Sequence, residues 1–256
     1  MSIIIPALNE KDYLPNLLRD LRRQTYSPIE VIVADAGSTD GTREIARRLG
    51  AKVVQGGKPA EGRNRDARAS SGEYLIFLDA DTRVRSDFVE RAVREFDREY
   101  YESATFRFYP ISSLRIDHLL FRMTNILIRA SSRMYPYAPG FGIMATRRIF
   151  RRVGGFDESV YLAEDHDFVR KASRIARFGV ISSAPIRVSV RRLDKEGRIN
   201  LLLKYMKAEI YRFFRGKVDR EIVDYEFARF EKGERDLASM EEFLERVLRM
   251  MERFIR

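Results

Sequence analysis

The sequence predicts an α/β fold with a mostly parallel sheet flanked by helices. Three observations point there. Short β-branched or apolar runs alternate with stretches whose apolar residues recur at helical spacing, the mark of βαβ units. Polar residues stand where the runs end, at Asn9, Asp35, Asp79 and Asp81. In parallel sheets, ligands bind outside the carboxyl ends of the strands. From Gly197 the alternation stops and the chain turns charge-dense with helical patterning. A boundary near residue 195 therefore divides an α/β domain, 1–195, from a helical C-terminal extension, 196–256.

Ile3-Ile4-Ile5 reads as the first strand and stops at Pro6, before the loop Ala7-Leu8-Asn9-Glu10. Leu14, Leu17, Leu18 and Leu21 give residues 13–24 a helical stripe. Residues 29–34 form the second strand, ending at Asp35. The turn Ala36-Gly37-Ser38-Thr39-Asp40-Gly41-Thr42 offers Ser, Thr or Asp as the N-cap of a helix to about residue 49. A third strand spans 52–55, a Gly56-Gly57 loop follows, and 64–70 reads as a short helix. Residues 74–78 are an unbroken apolar run, the pattern of a buried strand.

That run ends in Asp79-Ala80-Asp81. Two carboxylates so close repel unless a cation sits between them. A divalent ion carrying phosphate oxygens resolves the repulsion, and oxygen ligands suit Mg²⁺ or Mn²⁺. The plainer reading is a polar loop that caps the next helix. Residues 86–100 read as that helix, with Ser86 as N-cap, and 105–109 as a strand. Residues 114–134 are amphipathic, with Leu114, Leu119, Leu120, Met123, Ile126, Leu127 and Ala130 set against Arg115, Arg122, Arg129 and Arg133. Core packing is the first use of that apolar face, and an anionic membrane the second. Pro136, Pro139, Gly140 and Gly142 mark a loop, followed by a strand at 143–145, a helical turn at 147–153 and the turn Gly154-Gly155-Phe156-Asp157. Glu164-Asp165 opens a helix to about residue 178, where acids suit the helix dipole. Residues 180–190 are strand-rich, and Pro185 implies an edge or a bulge. Helices are expected at 199–214 and within 219–256.

Composition narrows the class. The 256 residues include no cysteine, which excludes a disulfide scaffold and a thiolate metal site and fits a reducing, cytoplasmic setting. No segment reaches the roughly 18 consecutive apolar residues of a membrane span. Ser2-Ile3-Ile4-Ile5 enters a strand with no basic segment before it, so no signal peptide is expected. The net charge of +10 favours anionic partners: nucleic acid, acidic lipid or phosphorylated substrates.

Taken in order, the motifs resemble those of the family 2 glycosyltransferases. Ile3-Ile4-Ile5-Pro6-Ala7-Leu8-Asn9-Glu10 is similar to that family's opening strand and loop. Val33-Ala34-Asp35-Ala36-Gly37-Ser38-Thr39-Asp40-Gly41-Thr42 resembles its second turn. Gly62-Arg63-Asn64, with Ala69 and Gly72, resembles the approach to the metal-site strand. Asp79-Ala80-Asp81 fits the Asp-x-Asp motif. Gly154-Gly155-Phe156-Asp157-Glu158 and Glu164-Asp165 fit the acceptor-side motifs. The resemblance covers about residues 1–195. Ala36 departs from it, since relatives often carry a second Asp there.

The resemblance implies a GT-A-type, Rossmann-like sheet. It also implies an inverting enzyme that moves a sugar from a nucleotide-diphosphate sugar to an acceptor hydroxyl by metal-assisted single displacement. Pro6, Ala7, Asn9 and Glu10 would frame the nucleotide pocket, and Asp35 would accept a hydrogen bond from the base. Arg63 would be a fixed cation beside the base or diphosphate. Asp79 would lie on the ribose side, Ala80 between the acids, and Asp81 on Mg²⁺ or Mn²⁺. Asp165 would act as general base, with Glu164 orienting the acceptor. Gly140, Phe141 and Gly142 would form an acceptor-facing loop. Arg191 and Arg192 are candidates for the diphosphate, against a solvated basic surface. His166 is read as a helix-surface residue before a metal ligand, and His118 as structural. The processive Gln-x-x-Arg-Trp motif is absent.

Two alternatives stand beside this reading. One is a transferase at the inner membrane face, peripheral through residues 114–134 and 199–214, acting on a lipid-linked polyprenyl or glycolipid acceptor. A phosphate acceptor needs no general base, so Glu164-Asp165 favours a hydroxyl. The other is a nucleic-acid-binding protein, suggested by charge alone. The arginines are scattered rather than grouped with aromatics, and no nucleic acid is expected.

Overall fold

Alternation within the first strand already sets up two cores. In the computed structural model, Ile3 and Ile5 face one side of a sheet and Ile4 the other, and all three are fully buried. The structure describes residues 1–132, 135–160, 164–198 and, within 241–250, all but 243 and 247. Strands β1 (Ser2–Ala7), β2 (Glu30–Asp35), β3 (Lys52–Gln55) and β4 (Tyr74–Leu78) pair in parallel. β5 (Thr82–Arg83) is short, while β6 (Ser103–Ile111), β7 (Gly142–Thr146) and β8 (Phe178–Ser189) complete an eight-stranded sheet. The order is β3-β2-β1-β4-β7-β6-β8-β5. Only β7 and β5 run against the other strands, so the sheet is mostly parallel, as the sequence predicts.

Helices α1 (Leu14–Arg22), α2 (Thr42–Arg48), α4 (Phe88–Arg98) and α5 (Arg115–Ser131) contribute to the core with Ile3, Ile5, Ile76 and Leu78. Helices α3 (Pro59–Ala69), α6 (Arg147–Val153) and α7 (Glu164–Ser173) cover the opposite face with Ile4, Leu75 and Phe77. Both faces of the central strands are buried, which is why 74–78 reads as a continuous apolar run. On the second face, Phe77 meets Phe150 and Phe156, and Phe156 stacks on Phe168. Each such ring stabilises the fold by about 1.5–3 kcal/mol through burial.

The structure corrects several sequence expectations. α3 begins at Pro59 rather than residue 64, so Arg63 and Asn64 lie mid-helix. Gly62 hid this, since a glycine inside a helical pattern reads as a break. Ser86 does not cap α4, because the N-cap position falls on Asp87. α7 stops at Ser173, five residues short of the expected end. Pro185 sits inside β8, beside a shift in the β6–β8 register between Phe106 and Phe108. This is the bulge alternative, and the Glu95 carboxylate accepts the freed amides of Ser182 and Ser183 at 3.1 and 2.7 Å. A short helix that the sequence reading missed, α8 (Arg191–Glu196), follows β8.

On α5, Ile116, Leu119 and Leu120 are buried against Leu244 and Leu248, so core packing is the use of that part of its face. The expected helix over 199–214, most of 219–256 and the end of the 114–134 stretch lie outside the described residues. Among the described residues, no helix is long and apolar enough to cross a membrane.

Candidate functional site

β1, β2 and β4 end side by side, and the loops after them form one mouth. The β1 loop is laced to the β2 loop. Asn9 donates its amide to Ser38 Oγ and accepts from the Thr39 amide, at 2.9 and 3.0 Å. The Glu10 and Lys11 amides donate to Thr42 and Asp40. Asn9 itself adopts φ 55°, a region that Asn tolerates better than most residues. Pro6 and Ala7 pair with Ala34 and Asp35, and the Ala36 amide donates to Ala7 O. Ala80 is buried in the core between the two acids. These residues therefore frame the mouth through the backbone.

Asp35 is 1% exposed. Its Oδ2 accepts from the Gly37 and Ser38 amides and from Arg43 Nε. Burial opposes its charge, but the hydrogen bonds from Ser38, Arg43 and Gly37 outweigh it and hold the carboxyl below its usual range. Its Oδ1 is buried with no partner. A buried, ionised and half-satisfied carboxylate is an acceptor waiting for a donor.

Across the sheet, Arg63 is buried at 4% exposure. Its Nη1 donates to Glu164 at 2.5 Å, and its Nη2 contacts Asp79 at 3.4 Å and Gly140 O at 3.3 Å. The guanidinium also lies 5.5 Å from the Phe156 ring centroid. One cation thus links the end of β4 to the start of α7. Asn64, the next residue, fixes the same elements. Its Nδ2 donates to Phe156 O and its Oδ1 accepts from the Phe156 amide, both at 2.8 Å. Gly155, at φ 78°, passes so close to Asn64 and Phe150 that a side chain there would collide with them.

Asp165 joins this group. A Cβ added to Gly140 would lie 2.8 Å from Arg63 Nη2 and 3.0 Å from Asp165 Oδ2, so both flank that glycine. Asp165 Oδ1 accepts from the His166 amide at 2.8 Å. Burial, then the neighbouring Asp165, push the Glu164 carboxyl up, and Arg63 opposes them. Asp79 is also raised, by burial first, with Arg63 lowering and Asp165 raising it. Part of its side chain, 40%, still faces the cleft.

Asp81 lies beside Asp79. Burial, together with Asp79 and Glu10, raises its carboxyl to about 6, while Arg191 pulls it down. Arg191 Nε reaches Asp81 Oδ2 at 2.8 Å. Its two terminal nitrogens donate to Glu10 at 2.8 and 2.6 Å. The guanidinium also stacks over Tyr13, 4.4 Å from the ring centroid. Arg192 instead donates to Glu196 one turn along α8.

Among the described residues, no three carboxylates or histidines are grouped tightly enough to cage a metal unaided. Mg²⁺ commonly takes one or two protein carboxylates and fills its shell with phosphate and water. Asp81, just beyond the end of β4 and beside Asp79, fits such an oxygen-donor position.

Two expectations change. Gly142 starts β7 opposite Leu78, and the Phe141 ring packs on Phe108 at 4.8 Å, so Gly140 is the residue of this stretch that borders the site. His166 is not a surface residue. It is 9% exposed, 4.0 Å from the Tyr137 ring centroid and 3.7 Å from Asp165. Reading His166 as a helix-surface residue missed this. His118 is held structurally, by Ser112 O at 3.0 Å. Sequence reasoning also missed Tyr13, whose stacking role has no motif.

Residues 2–153 match the model of the family described as Glycosyl transferase family 2. EpsJ of Bacillus subtilis, named an uncharacterized glycosyltransferase, is 29% identical over 195 residues, 69% of this chain and 56% of that protein. TarS of Staphylococcus aureus, a poly(ribitol-phosphate) beta-N-acetylglucosaminyltransferase, is 25% identical over 189 residues, 67% of this chain and 32% of that protein. The chain therefore spans between a third and just over half the length of these relatives. Among solved structures, the mannosyltransferase PcManGT from Pyrobaculum calidifontis, in complex with GDP-Man and Mn²⁺, has a TM-score of 0.62 at 22% identity. That match covers 80% of this chain and 64% of that one. S. aureus TarS in complex with UDP-GlcNAc has a TM-score of 0.61 at 22% identity, covering 73% and 58%. Both likenesses support the GT-A fold.

Proposed function

The chain belongs to the family 2 glycosyltransferases, and from that premise we propose that it moves a sugar from a nucleotide-diphosphate sugar to an acceptor hydroxyl, with inversion. The observation that carries this reading is the buried Arg63, which joins Asp79 on one side of the cleft to Glu164 on the other. A donor pocket and a proton acceptor are thereby held in fixed register.

The unpartnered Asp35 Oδ1 receives an N–H of the nucleotide base, within the frame made by Pro6, Ala7, Asn9 and Glu10. Asp79 faces the ribose side, and Asp81 is the ligand for Mg²⁺ or Mn²⁺. PcManGT was solved with GDP-Man and Mn²⁺, which supports divalent metal use here. When bound, such an ion stabilises charge on the departing diphosphate. Arg191 stands beside the same position and adds positive charge. Asp165 takes the proton from the acceptor hydroxyl as its oxygen attacks the sugar carbon on the face opposite the diphosphate. Glu164, held by Arg63, orients the acceptor.

A lipid-linked acceptor is the second reading. Leu114, at the N-cap of α5, and Leu127 within it are 44% and 51% exposed, and Arg115, Arg122 and Arg129 are exposed too. The area is smaller than the sequence suggests, because Leu244 and Leu248 cover part of the helix. Among the described residues after 198, Leu244 and Leu248 pack against α5.

Thermal shift against a panel of nucleotide sugars, each with Mn²⁺ or Mg²⁺, tests the donor, and NMR of the product's anomeric proton tests inversion. Stabilisation by one nucleotide sugar and an inverted product are expected. A retained configuration would remove the single-displacement mechanism.

A further inference from the structure

Glu10 follows β1 and Asp81 follows β4, yet one guanidinium holds both. Arg191 gives two nitrogens to Glu10 and its Nε to Asp81. A cation paired with Asp81 neutralises the charge that a divalent ion would neutralise there. We propose that Arg191 is the resident cation of the Asp81 position: it excludes a divalent ion from the free protein and yields Asp81 when the ion arrives with a nucleoside diphosphate. This rests on the donor being a nucleotide-diphosphate sugar.

Three features make the exchange local. Only the Nε contact engages Asp81, so releasing it leaves the paired bonds to Glu10 and the Tyr13 stack intact. The backbone stays in place, since the Ser189 amide donates to Asp81 O at 3.3 Å and the Arg191 amide to Ser189 Oγ at 3.2 Å. Beyond the other end of α8, Arg198 is paired with the fully buried Asp117 at 2.7 and 2.9 Å. The Asp81 carboxylate can therefore swing off Nε while the guanidinium stays on Glu10 and the helix remains docked.

The electrostatics give the exchange its order. A divalent ion on Asp81 with Arg191 still bonded there sets like charges side by side, which is unfavourable. A diphosphate supplies the anionic oxygens that accommodate both cations. Ion and nucleotide then bind cooperatively, and the coupling is reciprocal. A purely structural latch between β1 and α8 predicts no such competition.

Mn²⁺ titration of the free protein, followed by electron paramagnetic resonance, reads this directly. Arg191→Met is expected to bind Mn²⁺ roughly tenfold more tightly than wild type without nucleotide, an ordinary size for coupling between sites. In wild type, UDP or GDP is expected to tighten Mn²⁺ by a similar factor, and that gain shrinks in the variant. Equal or weaker Mn²⁺ binding by folded Arg191→Met overturns the proposal. Should that variant fail to fold, Arg191→Lys serves, because one ammonium cannot match the planar fork on both carboxylates. It is expected to tighten Mn²⁺ by a smaller factor, and no tightening overturns the proposal equally. If no nucleoside diphosphate binds wild type even with saturating Mn²⁺, the donor reading fails, while the nucleotide-free titration still decides the role of Arg191.

Discussion

Asp66, three residues beyond Arg63 on α3, is fully buried, and both its carboxylate oxygens lack a hydrogen-bond partner. Burial raises its carboxyl to about 8, against smaller opposing effects of Arg65 and Lys52. The sign of the effect on stability follows. Below the ordinary aspartate range, the group is protonated whether the chain is folded or not. Between that range and about pH 8, the unfolded chain is ionised and the folded one holds a proton, so stability falls as pH rises, by about 1.4 kcal/mol per unit. Above about pH 8 the penalty is complete and constant. At pH 7 the span from 3.8 to 7 corresponds to at most about 4 kcal/mol, and relaxation around the buried group reduces it. Asp66→Asn keeps the shape and the unsatisfied polar atoms, so ionisation is what changes. Urea unfolding at pH 5, 7 and 9 is the assay. The variant should be more stable than wild type at pH 7 and 9, by about 2–4 kcal/mol, with a smaller gain at pH 5. An equal change at all three values, or a loss at pH 9, refutes the reasoning.

Asp165→Asn should bind donor normally and lose about 10²–10⁴-fold in turnover, and near-normal turnover would remove Asp165 from the base role. Gly140→Ala places a methyl group against Arg63 and Asp165, and a shift of about 1 Å in either should reduce turnover by about 10²-fold with the melting temperature little changed. Arg63→Met leaves Glu164 and Asp79 without their shared cation and should lower unfolding stability by about 3–5 kcal/mol; a loss under 1 kcal/mol would mean that water satisfies both acids. For the lipid-linked reading, the protein should sediment with anionic liposomes at low salt and be released by added salt. Indifference to such liposomes counts against it.

The β1–β4 half was largely legible in the sequence because its signals are local. β3 and β4 begin and end where the patterns of 52–55 and 74–78 place them, and Asn9, Asp35 and Asp81 sit at strand ends as parallel topology requires. Signals that needed a tertiary partner were lost. Nothing in Arg191-Arg192 says which arginine turns inward, since the choice is made by Glu10, Asp81 and Tyr13, at least 110 residues away in the chain. His166 read as exposed because the Tyr137 ring that covers it comes from another loop. Phe141 and Gly142 read as a loop because β7 pairs with β4 and β6, both distant in sequence. Glycine inside α3 and proline inside β8 misled or blurred the boundaries, being tolerated where packing and the Glu95 carboxylate compensate.

Asn64 holds Phe156 by its amide and its carbonyl, as a neighbouring strand would. Those two bonds address the backbone of Phe156, while Asn64 Nδ2 also donates to Glu158 Oε1 at 2.8 Å. With Arg63, these bonds tie Phe156, Glu158 and Glu164 to α3. Under the proposed function, the acceptor side is thus an interchangeable cassette plugged in at a few fixed points. A chimera that imports a relative's segment, and keeps Gly155, Phe156, Glu158 and an acid at 164, should dock on α3 and change acceptor choice.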